Sequence, residues 1–317
     1  MGNSVAMGDT VFAENNKNTF SFLLEKNLRL INSNIDLINT AYYGFNSWQE
    51  YVEAVRYFNN YHDYDDLPKP KLILSIGGIQ DFWQFTKYLI NSSQEIERKY
   101  TQANGFMLNK KTFNFASQLE IVERGNPLQN LGLFIKSNIS FYKNISNINY
   151  LYALKRGNLL NKQEKEFFYD KDIVSIESIL YNLNLNKEEY EEIIETAAQS
   201  TVRNINALSN LIDKNSFVYI YMPSRFSSLK EKQKYKLEEF NIEGFQLTNI
   251  QLSFLEKDYK KTLIKLLKIN KIKYLDYSDM GEFYSWFNDN SHLSIEGSKI
   301  MSEKISKDLI NKLSITN

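Results

Sequence analysis

Apolar positions along the chain follow two alternating periods. Lys71 to Ile76 (KLILSI) and Phe217 to Met222 (FVYIYM) are short, nearly continuous apolar runs with β-branched residues, stopped by Gly77-Gly78 and by Pro223. Such runs predict strands buried on both faces. Ile35 to Ala41 (IDLINTA), ending near Gly44, and Lys271 to Leu275 (KIKYL) predict two shorter strands. Elsewhere the apolar spacing lengthens to three and four. It predicts helices over Ser47 to Asn59, capped by Ser47 with Glu50 three residues on, over Ile173 to Leu183, Lys187 to Ile212 and the charged stretch Ser228 to Phe240, and around Tyr259 to Ile269. A last helix is predicted over Ser294 to Leu313, with Ile295, Ile300, Ile305, Leu309 and Leu313 as its buried face. Strands alternating with helices in this way predict an α/β fold whose sheet is mostly parallel and covered on both sides.

Residues 101–190 break the rhythm with isolated glycines, a Gly-Asn-Pro turn at 125–127 and an Asn/Ser/Tyr-rich stretch from Ser137 to Tyr152. The whole chain, 1–317, reads as one large domain carrying 101–190 as an insertion. Aromatic residues there, among them Phe113, Phe134, Phe141 and Tyr150, fit a satellite core, or else a lid and aromatic wall for a substrate.

Composition narrows the chemistry. Hydrophobic residues at 43% and charged residues at 24% are ordinary globular usage, which argues against global disorder. Lys+Arg and Asp+Glu are both 38, so no long-range field gathers a polyanion and nucleic acid is not an expected partner. Absence of Cys removes disulfides, thiolate nucleophiles and thiolate metal sites, and two histidines, His62 and His292, exclude a multi-His metal centre. No apolar run of about 18 residues occurs, so no transmembrane segment is expected within the chain.

Four short segments carry candidate chemistry. In Gly2-Asn3-Ser4-Val5-Ala6-Met7-Gly8 a serine stands among small residues at a helix-start pattern, which suits an exposed hydroxyl, although a surface serine would show the same pattern. Gly44 and Gly78-Ile79-Gln80-Asp81 each follow a predicted strand. Parallel sheets bind ligands at the carboxyl ends of their strands, yet glycines after strands also serve as plain turns. In Asp289-Asn290-Ser291-His292 a carboxylate three residues before an imidazole can bond its far nitrogen and orient it as a base. N-capping by Asp289 or Ser294 beside a surface histidine is the alternative. Asp276 and Asp279 read as turn carboxylates, and no metal is implied.

In this order the segments resemble the blocks of the SGNH (GDSL-type) hydrolases across nearly the whole chain, the insertion excepted. Gly2-Asn3-Ser4-Val5-Ala6-Met7-Gly8 is similar to the Gly-Asp-Ser nucleophile block, Gly44 to the glycine block, Gly78-Ile79-Gln80-Asp81 to Gly-x-Asn-Asp, and Asp289-Asn290-Ser291-His292 to Asp-x-x-His before a final helix. The resemblance implies a flavodoxin-like, doubly wound sheet and a cofactor-free serine esterase. Ser4 would be the nucleophile, His292 the base and Asp289 its orienting carboxylate. The oxyanion hole would comprise the Ser4 and Gly44 N–H groups and the side-chain amide of Gln80. Asn3, Tyr43, Asp81 and Trp83 would line the substrate rim, with Tyr42, Trp48 and Trp286 as further aromatic candidates beside core packing.

Two departures from the pattern stand out. Gln80 replaces the usual Asn, which lengthens the donor arm of an oxyanion hole where one lost donor costs about 2.7–4 kcal/mol. Only Met1 and Gly2 precede the nucleophile block, where the pattern places an inner strand, so a start truncated upstream is expected. The present N-terminus reads as cytoplasmic, whereas a lost signal or anchor would make the protein exported or membrane-anchored. The expected substrate is a small-molecule or glycan ester bearing an acetyl or other small acyl group. An O-acyltransferase of the same fold and a non-catalytic carbohydrate-binding or assembly protein are the alternatives; a nucleotide-binding protein lacks its phosphate-loop Lys and glycine fingerprint.

Overall fold

A computed structural model of the chain describes residues 1–7, 16–42, 44–59, 69–93, 165–168, 176–227, 234–242 and 245–313. The first elements are a single helical turn α1 (Ser4–Met7), α2 (Phe20–Arg29), α3 (Ser47–Phe58), strand β1 (Ile73–Gly77) and α4 (Ile79–Ser93). After β2 (Lys165–Phe168) come α5 (Ile176–Asn182), α6 (Lys187–Ser209) and β3 (Phe217–Tyr221). The remainder is β4 (Lys234–Leu237), β5 (Glu239–Ile242), β6 (Phe245–Thr248), α7 (Asn249–Ile269), β7 (Tyr274–Asp276) and α8 (Ile295–Leu313). The protein is thus α/β.

The residues divide into two compact units. The first comprises Met1–Phe106, Tyr169–Gln233 and Glu239–Asn317; the second comprises Met107–Phe168 and Lys234–Glu238. In the second, β2 and β4 form an antiparallel ladder from Lys165 opposite Leu237 to Phe168 opposite Lys234. The aromatic residues Phe113, Phe134, Phe141 and Tyr150 lie outside the described residues, as do His62 and Tyr43.

In the first unit β1, β3 and β7 form a parallel sheet in that order, with Ile73 opposite Phe217 and Tyr219 opposite Tyr274. On the free side of β1, Gly2 forms a parallel bridge with Ile76, the Met1 amino group donates to the Leu74 carbonyl at 2.9 Å, and the Ile76 N–H donates to Met1 O at 3.1 Å. The period of two along a strand sends alternate side chains to opposite faces. Val218, Ile220 and Met222, with Leu74, Ile76 and Leu275, pack against Val5 and Ala6 of α1, Phe20, Leu24 and Leu28 of α2, and Met301, Ile305 and Leu309 of α8. The opposite face sends the Ser75 hydroxyl to Glu50 of α3 at 2.6 Å and the Tyr221 hydroxyl to Glu256 of α7 at 3.1 Å. Helices therefore cover both faces, which is why the central strand β3 is apolar throughout.

Several expectations are corrected. The helix expected over Ser228 to Phe240 is not formed in its described part. Lys234–Leu237 and Glu239–Ile242 are strands, and β5 pairs with β6 as an antiparallel hairpin. Apolar residues alternate with polar ones in Glu-Phe-Asn-Ile and Phe-Gln-Leu-Thr, and that period of two prevails over the charged composition. The helix expected around Tyr259 to Ile269 begins ten residues earlier, at Asn249, because Thr248 caps it reciprocally with Gln251. The last sheet strand is Tyr274–Asp276, not Lys271 to Leu275, since Lys271 adopts φ +55° after α7. Ile35 to Ala41 forms no strand: Asn39 instead turns the segment, accepting from the Ala41 N–H and donating to Ala6 O. Asn46, not Ser47, caps α3, with Gln49 as its reciprocal partner. The buried face of α8 runs through Ser298, Met301, Ser302, Ile305 and Leu309, whereas Ile295 is 44% exposed. A face i, i+3, i+4 centred on Met301 meets α2, where Asn27 donates to the Ser302 hydroxyl at 3.1 Å.

Candidate active site

Local sequence folds Asp289 and His292 against one another. Phe287 and Leu293 form an antiparallel bridge, and the Asn288 N–H donates to His292 O at 2.8 Å, so the intervening residues close into a tight loop. Inside it, Asp289 Oδ1 accepts from the N–H groups of Ser291 and His292, both at 2.8 Å. The other oxygen, Oδ2, stands 2.6 Å from His292 Nδ1. Burial alone would raise the Asp289 pKa, but the hydrogen bond and charge of His292, with the two turn amides, hold it below the usual carboxylate range. An ionised partner at Nδ1 fixes that nitrogen as the donor, which puts the imidazole lone pair on Nε2. The capping alternative is realised as well, by Ser294 of the two candidates: its Oγ accepts from the Gly297 N–H at 3.1 Å at the start of α8.

Of the other candidates, the Ser4 and Gln80 blocks lie at the carboxyl end of β1, whereas Gly44 follows no strand. The bridge between Gly2 and Ile76 sets the Ser4 backbone at the start of α1, directly past the edge of β1. Gly2 has φ +148°, and a Cβ there would come within 2.7 Å of the Ile76 carbonyl oxygen, so this approach requires glycine. Gly44 sits in an exposed turn at φ +69°, with no atom within 4 Å of where a Cβ would be. That turn is tied to the Ser4 block, because the Tyr42 N–H donates to Gly2 O at 3.1 Å. Gln80 is half-buried in the first turn of α4, immediately after β1. The Ser4, Gly44 and Gln80 blocks are thus brought to one edge.

The expected rim residues behave differently. Asn3 is 1% exposed, and its Oδ1 accepts from the Val5 N–H at 3.0 Å. A short side chain at the entry to α1 satisfies a first-turn amide and so turns inward. Asp81 is 2% exposed and also points inward: its Oδ1 accepts from the Ser47 N–H at 3.1 Å and the Ser47 hydroxyl at 2.8 Å. Thr201 of α6 reaches the same oxygen at 3.5 Å, and Asn204 donates to the Ser47 hydroxyl at 3.1 Å. The helical step of about 100° per residue separates Gln80 from Asp81, and the N-terminal amide of α3 holds the carboxylate inside. Burial raises the Asp81 pKa to about 6, despite the opposing bonds from Ser47 and Thr201. Trp83 is half-buried, edge-on to Phe226 at 5.8 Å and tilted against Phe240 at 6.4 Å.

Sequence reading passed over Arg225 and Glu256. Arg225 donates from Nη2 to Phe287 O at 2.9 Å and from its backbone N–H to Asn290 O at 3.0 Å, on the loop that holds Asp289. The only sequence signal was its place just after the most apolar strand. Among the described residues no group of three or more His, Cys, Asp or Glu side chains comes together as a metal site, and no helix is long and apolar enough to cross a membrane. No protein-family model matches the chain, and no curated protein or solved structure matches it.

Proposed function

We propose that the protein is a serine esterase of the SGNH type that hydrolyses acetyl or other small acyl esters, with a glycan as the alcohol component. The observation carrying this reading is the 2.6 Å contact between Asp289 Oδ2 and His292 Nδ1 in a loop preceding the last helix. The order β1-β3-β7, with Gly2 beside β1 and Tyr42 bonded to Gly2, supports a doubly wound, flavodoxin-like arrangement.

In this reading His292 Nε2 takes the Ser4 hydroxyl proton as Ser4 Oγ attacks the ester carbonyl. N–H groups of Ser4 and Gly44 and the Gln80 amide hold the oxyanion. The C–O bond to the alcohol then breaks, the alcohol leaves with the proton from His292, and an acyl-Ser4 ester remains. Water, deprotonated by the same imidazole, releases the carboxylic acid and restores Ser4. Exposed rings favour a sugar: Tyr42, 59% exposed, precedes Gly44, and Phe283, 43% exposed, is stacked on Trp286 at 4.1 Å shortly before Asp289.

Labelling with a serine-reactive fluorophosphonate, followed by mass mapping, tests the reading. The expected result is modification of Ser4 that is lost in Ser4→Ala and strongly slowed in Asp289→Asn, with unchanged circular dichroism. A folded chain that neither labels nor turns over acetyl esters would assign it a binding role.

A further inference from the structure

We propose that Arg225 is the positioning residue for the Asp289–His292 pair. The inference rests on the esterase reading for its catalytic consequence, while the docking it describes is measurable without turnover. The loop's internal shape is set by the bridge between Phe287 and Leu293, the Asn288 to His292 bond, the Asn288 side-chain bond to Leu293 O and the carboxylate turn at Asp289. Phe287 and Leu293 anchor the base of the loop in the core beside Val218, Ile220 and Met222. Arg225 grips the part between them on both sides of Asp289, through Phe287 O before it and Asn290 O after it.

The arginine is itself held on a rigid turn. Ser224, fully buried just past β3, donates its hydroxyl to Glu256 Oε2 at 2.7 Å, and its hydroxyl accepts from the Phe226 N–H at 3.2 Å. The Ser224 N–H donates to Ser227 Oγ at 2.6 Å, and the Ser227 hydroxyl donates to Ser224 O at 3.0 Å. Glu256, 1% exposed, also accepts from the Tyr221 hydroxyl at the end of β3. A path of packed bonds therefore runs from β3 and α7 through Ser224 and Arg225 to the loop of the imidazole. The guanidinium bond to Phe287 O is a link that a side-chain change removes, whereas the Arg225 N–H bond survives any substitution except proline.

Cutting that link leaves the pair's internal geometry intact and loosens residues 288–292 between the buried Phe287 and Leu293. Misplacing a base by about 1 Å costs on the order of a hundredfold in rate without an equal loss of binding. Arg225→Met keeps the apolar stem and removes the donors. It is expected to lower kcat for an acetyl ester by roughly 10- to 100-fold, with KM changed by less than about twofold. Arg225→Lys, which retains a donor, is expected to recover part of the loss. Amide hydrogen exchange measured on the same proteins is expected to rise about tenfold or more at Arg225 and at 288–293 in Arg225→Met, with β1, β3 and α8 unchanged. Loop-local exchange without turnover in the parent protein would uphold the docking role and reject the esterase reading. Unchanged exchange and kcat in Arg225→Met would overturn the proposal, as would a uniform rise across the chain. Should Arg225→Met fail to fold, Arg225→Lys carries the test: a smaller rise in exchange confined to 288–293 with a partial loss of kcat upholds the docking role, and values equal to the parent's or chain-wide loosening overturn it.

Discussion

Replacing Asp81 by Asn separates an interior carboxyl from a rim carboxyl by its effect on stability. In the folded chain burial holds the Asp81 pKa at about 6 against an ordinary 3.8. The native state therefore binds more protons than the unfolded state between these values, and stability falls as pH rises through the window. Stability associated with the protonated side chain is fully present below pH about 3.8 and lost once pH passes about 6. A shift of about two units at about 1.4 kcal/mol per unit amounts to about 3 kcal/mol. Asn is neutral throughout and keeps an oxygen for the Ser47 amide and hydroxyl, so Asp81→Asn should remove this slope. Its absolute stability at neutral pH gains from the absent charge and loses about 1–3 kcal/mol wherever the new NH₂ finds no acceptor. The decisive quantity is hence the pH dependence. Glu50, pushed by burial to about 8, has the same sign, while Asp289, held low, has the opposite one. Subtracting the two profiles cancels the Asp289 contribution, while Glu50, lifted in part by the Asp81 charge, is lifted less in Asp81→Asn and widens the difference in the same direction. Urea unfolding followed by tryptophan fluorescence at half-unit steps from pH 4 to 8 should show the parent losing about 2–3 kcal/mol relative to Asp81→Asn by pH 7. Parallel profiles within about 0.5 kcal/mol, or a large loss of ester turnover with no change in slope, would refute the interior assignment.

Two further outcomes are expected. Asn46→Ala removes the oxygen that accepts from the Trp48 and Gln49 amides and breaks the reciprocal cap of α3; the urea midpoint should fall by an amount equivalent to about 1 kcal/mol. Gln80→Asn should leave kcat for an acetyl ester unchanged or lower it, if the loop after β1 has adapted to the longer amide. Under the proposed esterase reading, steady-state kinetics showing a rise of about one to two decades would instead mark Gln80 as a poor oxyanion donor.

What the sequence by itself determined lies within a few residues of its cause. Lys71 to Ile76 and Phe217 to Met222 were legible as strands because burial on both faces leaves no polar alternation. The helix from Ser294 onward was legible by its spacing. The pairing of Asp289 with His292 was legible because one turn of chain brings the groups together without help from elsewhere. The tertiary structure alone decided the rest. Asp81 turned from rim to interior because Thr201, 120 residues away, and the amide of Ser47 meet it there. Ser228 to Phe240 read as a helix by composition, yet residues 239–242 took their conformation from the partner strand 245–248. Arg225 meets Phe287, 62 residues on, from a turn that is held by the bonds of Ser224 to Glu256 and Ser227. Local turns and periodic burial are encoded where they form, because their partners are neighbours. A buried polar group chooses among all acceptors the fold brings within reach, and no window of sequence contains that list.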